Sequence, residues 1–134
     1  MVDVNIWAIL VATIIQMVLG FLWYGPLFGK IWMKEMRFDP KKKPPKGTMT
    51  KSYVIMIVSA FIMAYVLAHF VKLLSVTSLA GACQIAFWIW LGFVATIQVG
   101  SVLWEGKSWK LFAINAAYWL VGIFFMAWVL AIWP

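Results

Sequence analysis

The sequence has few charged residues and almost none of the side chains that build catalytic or metal-binding sites. Charged residues make up 11% of its 134 residues, and it has one cysteine, Cys83, and one histidine, His69. A single cysteine excludes an intramolecular disulfide, and no cysteine–histidine set has metal-ligand spacing. The sequence also has no Ser–His–Asp set and no phosphate-binding loop between a strand and a helix. We therefore expect no enzymatic activity, no catalytic residue, no metal and no cofactor.

Acidic residues are absent from the long apolar runs of the chain. The four that exist, Asp3, Glu35, Asp39 and Glu105, lie at the ends of these runs or between them. Proton- or sodium-coupled transport usually depends on a carboxylate or an equivalent relay inside the membrane. The net charge of +7 is not accompanied by a soluble domain that could present a basic surface, so we expect no nucleic-acid partner.

Apolar residues dominate what is present. Hydrophobic residues make up 66% of the chain, and the mean hydropathy is +0.97. Four apolar runs, at about 6–28, 53–74, 79–103 and 111–133, are each long enough as a helix to cross a hydrocarbon core of about 30 Å. Only helices and closed barrels satisfy their backbone groups in such a core. The sequence therefore predicts one integral membrane domain, an all-α bundle of four transmembrane helices.

The basic residues of the loops predict the orientation of this bundle. The segment 29–52 holds eight basic residues against two acidic ones, for a net charge of +6. The loop 104–110 holds two lysines and one glutamate. Because positive loops stay in the cytoplasm, we expect both loops there and both termini on the non-cytoplasmic side of a cell or inner membrane. Within 29–52, the residues Lys41, Lys42 and Lys43 either set this topology or also contact anionic lipids.

Two pairs of similar segments indicate an internal repeat. The segments "FIMAYVLAHF" (61–70) and "FFMAWVLAIW" (124–133) are identical at six of ten positions. The segment "LWYG" (22–25) similarly has a counterpart in "LWEG" (103–106). Both matches join helices that run in the same direction. We therefore predict two related helical hairpins, 6–74 and 79–133, arranged as a parallel repeat.

Small and polar residues form stripes along the predicted helices. They include Ala60, Ala64 and Ala68 in the second helix and Gly92, Thr96 and Gly100 in the third. Helices in lipid associate through close packing and hydrogen bonds rather than through hydrophobic energy, so these stripes should face other helices or a second copy of the chain. Five polar residues allow two interpretations: hydrogen bonds between helices, or the lining of a polar pathway. These residues are Gln16, Gln84, Gln98, Asn115 and Tyr118.

The segment "GFLWYGPLFGKIW" (20–32) ends the first apolar run. Its glycines follow no strand and lack phosphate-loop spacing, so we interpret it as a structural elbow at the inner interface. Trp23 and Tyr24 suit that interface, while Gly25 and Pro26 are suited to bend or end a helix. The basic residues after Gly29 recur at helical spacing, which predicts a short interfacial helix.

These motifs carry a resemblance to a known family. The segment "NIWAILVATIIQMVLGFLWYGPLFGKIWM" (5–33), together with "LGFVAT" (91–96) and "FAINAAYWLV" (112–121), resembles the bacterial and fungal membrane proteins of domain of unknown function 1761. The resemblance covers nearly the whole chain. It implies a multi-pass membrane protein and supplies no catalytic residues.

Two functions fit these expectations. The first is a non-enzymatic membrane protein that works as a homo-oligomer or by contacting a partner or membrane lipids. The alternative is a small channel or uniporter for an ion or a small solute, lined by the amide side chains. The sequence specifies no small-molecule ligand for either function.

Overall fold

The computed structural model describes residues 3–37 and 47–133, and these residues form helices and no strands. Four helical segments are long and apolar enough to cross a membrane. The all-helical architecture predicted from the apolar runs is therefore confirmed for the described residues. The α-helices are α1 (Ile6–Leu22), α2 (Gly29–Glu35), α3 (Thr48–Leu73), α4 (Leu79–Trp90), α5 (Thr96–Glu105) and α6 (Trp109–Ile132).

Two short π-helical turns interrupt the long segments. The first, Trp23–Leu27, continues α1, and the second, Leu91–Ala95, joins α4 to α5. The first and third apolar segments therefore run over Ile6–Leu27 and Leu79–Glu105. A π turn adds a residue to the helical ladder and so rotates the side chains that follow it. Hydrophobic periodicity does not reveal such an insertion. The sequence predicted a bend or end at Gly25 and Pro26 but no interruption of the third apolar run.

Polar caps set the helix boundaries. The side chains of Asn5, Ser78 and Ser108 accept hydrogen bonds from backbone N–H groups at the starts of α1, α4 and α6. Gly106, with φ of 71°, adopts the left-handed conformation that ends α5. The second apolar segment begins at Thr48, five residues before the predicted start at residue 53. The helix therefore includes a largely polar first turn ahead of the apolar run.

Helix α6 is the centre of the bundle and packs against α1, α3 and α4, while α1 also packs against α3. Alanines dominate these contacts, which lets the helices approach closely. The burial of Ala60, Ala64 and Ala68 confirms the packing face predicted for α3. The start of α1 lies beside the end of α6, where the Asn5 Nδ2 donates to the Trp133 carbonyl at 3.4 Å. Both ends of the described chain thus lie at the end of the bundle opposite α2.

The bundle is closely packed at that end and open at the end that carries α2. Residues 48–59 of α3 are all exposed, and α5 has no buried residue. The predicted stripe of Gly92, Thr96 and Gly100 does not pack inside the chain. Gly92 and Thr96 are exposed, and no atom lies within 4 Å of the position that a Cβ on Gly92 would take. The alternative expectation, a second copy against this stripe, stays a prediction.

Candidate functional site

The elbow at the end of α1 is formed by the first π turn. Pro26 lies inside this turn and has no N–H to donate, and the Phe28 N–H bonds five residues back to the Trp23 carbonyl at 2.8 Å. A Cβ on Gly29 would lie 2.6 Å from the Tyr24 carbonyl oxygen, so only glycine permits the chain to enter α2 there. The structure thus puts a π turn at the segment interpreted as an elbow, with Gly25 and Pro26 on its exposed side.

The aromatic residues of the elbow bind α6. The Trp23 Nε1–H donates to the Ile114 carbonyl at 3.0 Å, and the Tyr24 hydroxyl donates to Asn115 Oδ1 at 2.6 Å. The Tyr24 ring also meets the Tyr118 ring edge-on, with centroids 5.2 Å apart. Because both donors come from the π turn after α1 and both acceptors from one turn of α6, these bonds fix the elbow against α6.

Tyr118 connects the elbow to the middle of the bundle. Its side chain is 5% exposed, and its hydroxyl lies 3.3 Å from the Gln16 backbone carbonyl, to which it donates. Its ring also lies 6.3 Å from the Trp23 ring. The structure therefore joins five predicted residues in one polar-aromatic cluster: Gln16, Trp23, Tyr24, Asn115 and Tyr118.

The side-chain amide of Gln16 is the most unusual group in this cluster. Gln16 is 1% exposed, and neither its Oε1 nor its Nε2 has a hydrogen-bond partner. The amide lies against Gly122, where an added Cβ would overlap Oε1 and would lie 2.9 Å from Nε2. An amide buried without partners costs on the order of 1–3 kcal/mol, so the site holds unused hydrogen-bonding capacity. The space left by the absent side chain of Gly122, which we call the notch, accommodates this amide.

The remaining predicted residues lie elsewhere. Gln98 is half-buried on α5, with its Oε1 buried and unpartnered, and no hydrogen bond joins it to the cluster. Gln84 is exposed on α4, in a groove at the end opposite α2. Lys41, Lys42 and Lys43 lie outside the described residues. The structure thus brings together two of the four predicted amides, Gln16 and Asn115.

Sequence reasoning missed one hydrogen bond that holds the cluster in place. The Trp90 Nε1–H donates to the Ala116 carbonyl at 2.7 Å. Helix α4 therefore binds the same turn of α6 that Trp23 binds from the first π turn. Both tryptophans lie at π turns. The signal for Trp90 was its depth in an apolar run, where an indole N–H benefits from a partner.

The chemistry of the cluster is neutral hydrogen bonding. Its members are amides, phenols and an indole, and it has no charged side chain. Among residues 3–37 and 47–133, no group of three or more histidine, cysteine or acidic residues is placed to hold a metal ion.

A family model for proteins of unknown function, DUF1761, matches residues 7–131. The chain belongs to the DUF1761 family. The match spans all four apolar segments and the whole polar-aromatic cluster, and it confirms the resemblance drawn from the motifs. No curated protein and no solved structure matches the chain. The DUF1761 description assigns no activity, so roles for these residues rest on their geometry.

The notch at Gly122 predicts a large difference between two glycines. Gly122→Ala should destabilise the protein by about 1–3 kcal/mol, because the new methyl group overlaps the Gln16 amide. Gly92→Ala is the matched control in open space and should be neutral or slightly stabilising, because alanine favours helix. Thermal unfolding in detergent measures both changes. Adding Gln16→Ala to Gly122→Ala should restore stability, and equal effects of the two glycine substitutions would contradict the notch.

Proposed function

We propose that the chain is an integral protein of the cell or inner membrane, with the α2 end in the cytoplasm and both termini outside. The distribution of charge supports this orientation. Described basic residues at the α2 end outnumber the two acidic ones, Glu35 and Glu105, whereas the loop between α3 and α4 is adjoined only by Lys72. Positive loops are retained in the cytoplasm. The basic residues are Lys30, Lys34, Arg37, Lys51, Lys107 and Lys110.

The proposal includes two related hairpins in a parallel repeat. The burial of matched positions supports it, because three identical residues of the two similar segments are buried in both. Tyr65 and its counterpart Trp128 are exposed in both helices. The buried pairs are Ala64 with Ala127, Leu67 with Leu130 and Ala68 with Ala131.

We propose further that the protein is a non-enzymatic homo-oligomer, acting by contact with partners or lipids. The observation that carries this proposal is the poor burial of the third apolar segment. Only 11% of its most apolar stretch is buried, against 44% in the fourth segment. The exposed side includes Gly92 and Thr96, small residues that permit close approach of another helix.

Larger side chains on this exposed side of the third apolar segment should separate the copies of the homo-oligomer. The variant Gly92→Leu/Gly100→Leu should convert the oligomer to monomer in nanodiscs, because leucine prevents close helix contact. Val58→Leu, on the exposed half of α3, is the control and should leave the oligomer intact. Native mass spectrometry measures the stoichiometry, and circular dichroism checks the fold. A monomeric wild-type protein, or an unchanged double variant, would contradict the proposal.

Neutralising the lysine cluster tests the proposed lipid contacts. Replacing Lys41, Lys42 and Lys43 with glutamine should reduce retention of anionic lipid, because each basic residue near a membrane surface contributes about 1 kcal/mol of attraction. Retention of phosphatidylglycerol after purification gives the measurement, with phosphatidylcholine as the uncharged control. Unchanged retention would reject this contact.

A second candidate function, a small channel or uniporter, is favoured by the unpartnered Gln16 amide. This amide holds unused hydrogen-bonding capacity inside the bundle. Because the cluster carries no charge, the solute it suits is small, neutral and hydrogen-bonding. Asn115 and Tyr118 lie on the same face of α6, toward Tyr24 and Gln16. Gln98, on α5, is a further amide in the half of the bundle nearest α2.

Flux into liposomes separates the two functions. If Gln16 lines a route, glycerol or urea should cross faster than in protein-free liposomes. Gln16→Met should then slow the flux about fivefold to tenfold, because one hydrogen bond of about 1 kcal/mol is lost. Gln84→Met is the same substitution at an exposed position and should leave the solute flux unchanged. An absence of solute and ion flux under every gradient would reject the channel and leave the oligomer.

A further inference from the structure

We propose that a groove between the α3–α4 loop and the outward face of α4 binds one glycerophospholipid, with Gln84 contacting its ester region. The groove has a volume of about 550 Å³ and lies at the end of the bundle opposite α2. This inference rests on the membrane location of the chain and does not depend on oligomerisation or transport. It also concerns a different surface from that of the lysine cluster.

The groove changes in polarity along its length. Three hydroxyl-bearing residues, Ser75, Thr77 and Ser78, line the end formed by the loop. Trp88 and Phe93 line the other end and are 65% and 71% exposed. A polar end at the helix boundary that continues into an apolar channel matches a molecule with a polar head and an acyl chain. A second helix of this chain would match the apolar part alone.

The length of the groove fits an acyl chain. Phe93 lies fourteen residues after Leu79, the first residue of α4, which corresponds to about 21 Å of helix rise. A hydrocarbon core of about 30 Å gives each leaflet about 15 Å. The groove is thus long enough for the full depth of one leaflet. Phe70 of α3 and Leu74, just after α3, also line it.

Gln84 identifies the part of the lipid that is recognised. Its side chain is exposed in the groove about 8 Å beyond the start of α4, with aromatic residues deeper along the same helix. An amide facing hydrocarbon without a partner is costly. The ester carbonyls of a glycerolipid lie just below its headgroup and accept hydrogen bonds. The Gln84 amide N–H groups therefore meet acceptors at the depth where a bound lipid places them.

The sign of charge around the groove favours a phosphate. Lys72, in the last turn of α3, is the only charged residue between positions 52 and 104. It follows Phe70 by two residues, so helical geometry puts it on the side of α3 away from that groove residue. We therefore expect the charge to give a modest preference for an anionic headgroup, with the groove and Gln84 supplying most of the affinity.

A second groove in the same bundle provides the matched comparison. It has a volume of about 420 Å³ and lies between α4 and α6. Apart from the Cys83 thiol, its walls are apolar, so it has no strong hydrogen-bond donor for an ester or phosphate group. Its lining residues are Cys83, Ala86, Leu120, Val121, Phe124 and Phe125. A lipid held by apolar contact alone should exchange freely there.

Native mass spectrometry of the full chain tests the proposal. Protein released from nanodiscs of palmitoyl-oleoyl phosphatidylglycerol should keep one lipid per protomer, and in phosphatidylcholine somewhat less. Gln84→Met keeps the side-chain length and should lower the retained fraction at least fivefold. Thr77→Ala should lower it by a smaller factor, and Phe125→Leu in the second groove should leave it unchanged. Because Gln84 is exposed, circular dichroism should show unaltered helix content in Gln84→Met.

Three outcomes would overturn the proposal. They are wild-type protein that retains no lipid, equal retention by wild type and Gln84→Met, and equal loss in Phe125→Leu. Photocrosslinking from a benzophenone at position 88 adds a readout that does not depend on retention. It should label lipid in the wild-type background, and labelling of a second copy of the chain instead would show that protein fills the groove.

Discussion

The contact between the Gln16 amide and Gly122 sets how closely α1 approaches α6, and the rest of the bundle depends on that approach. In lipid, helices gain little from hydrophobic burial and must gain from close contact. Here the absence of a side chain on Gly122 leaves room for the whole amide group of Gln16. The α1–α6 pair then supports the other helices, because α3 packs on both and α4 packs on α6.

Hydrogen bonds concentrate where the alanine packing ends. Near α2 the bundle opens, and the half of α6 nearest α2 is held by side-chain donors rather than by small-residue contact. Trp23 and Tyr24 bind α6 from the π turn after α1, and Trp90 binds it from the end of α4. Each indole lies at a π turn, which changes the helical register where the donor must point at α6. Close packing at one end and directional bonds at the other leave α5 and the first half of α3 exposed to their surroundings.

Much of this fold was predictable from the sequence because apolar length and small-residue spacing are local properties. Four helical segments and the packing face of α3 follow from such patterns, and the structure confirms them. The π turns were not predictable, because one added residue hardly alters hydropathy. Gln84 illustrates the same limit at the level of a site. In the sequence, Gln84 and Gln16 both lie among apolar residues. The face of α4 that carries Gln84 points away from the bundle, so Gln84 is exposed. Gln16 is buried through its tertiary contact with Gly122.

The account rests on the proximity of the Gln16 amide to Gly122 in a lipid bilayer, and solid-state NMR measures that proximity directly. Protein with ¹⁵N-labelled glutamine side chains and ¹³C-labelled glycine should give a through-space cross-peak between the Gln16 amide nitrogen and Gly122 Cα. The cross-peak should vanish in Gln16→Met and leave the other glutamine signals in place. A bilayer sample that lacks this cross-peak, while it keeps a Tyr24–Asn115 contact in a matched tyrosine- and asparagine-labelled sample, would contradict the account.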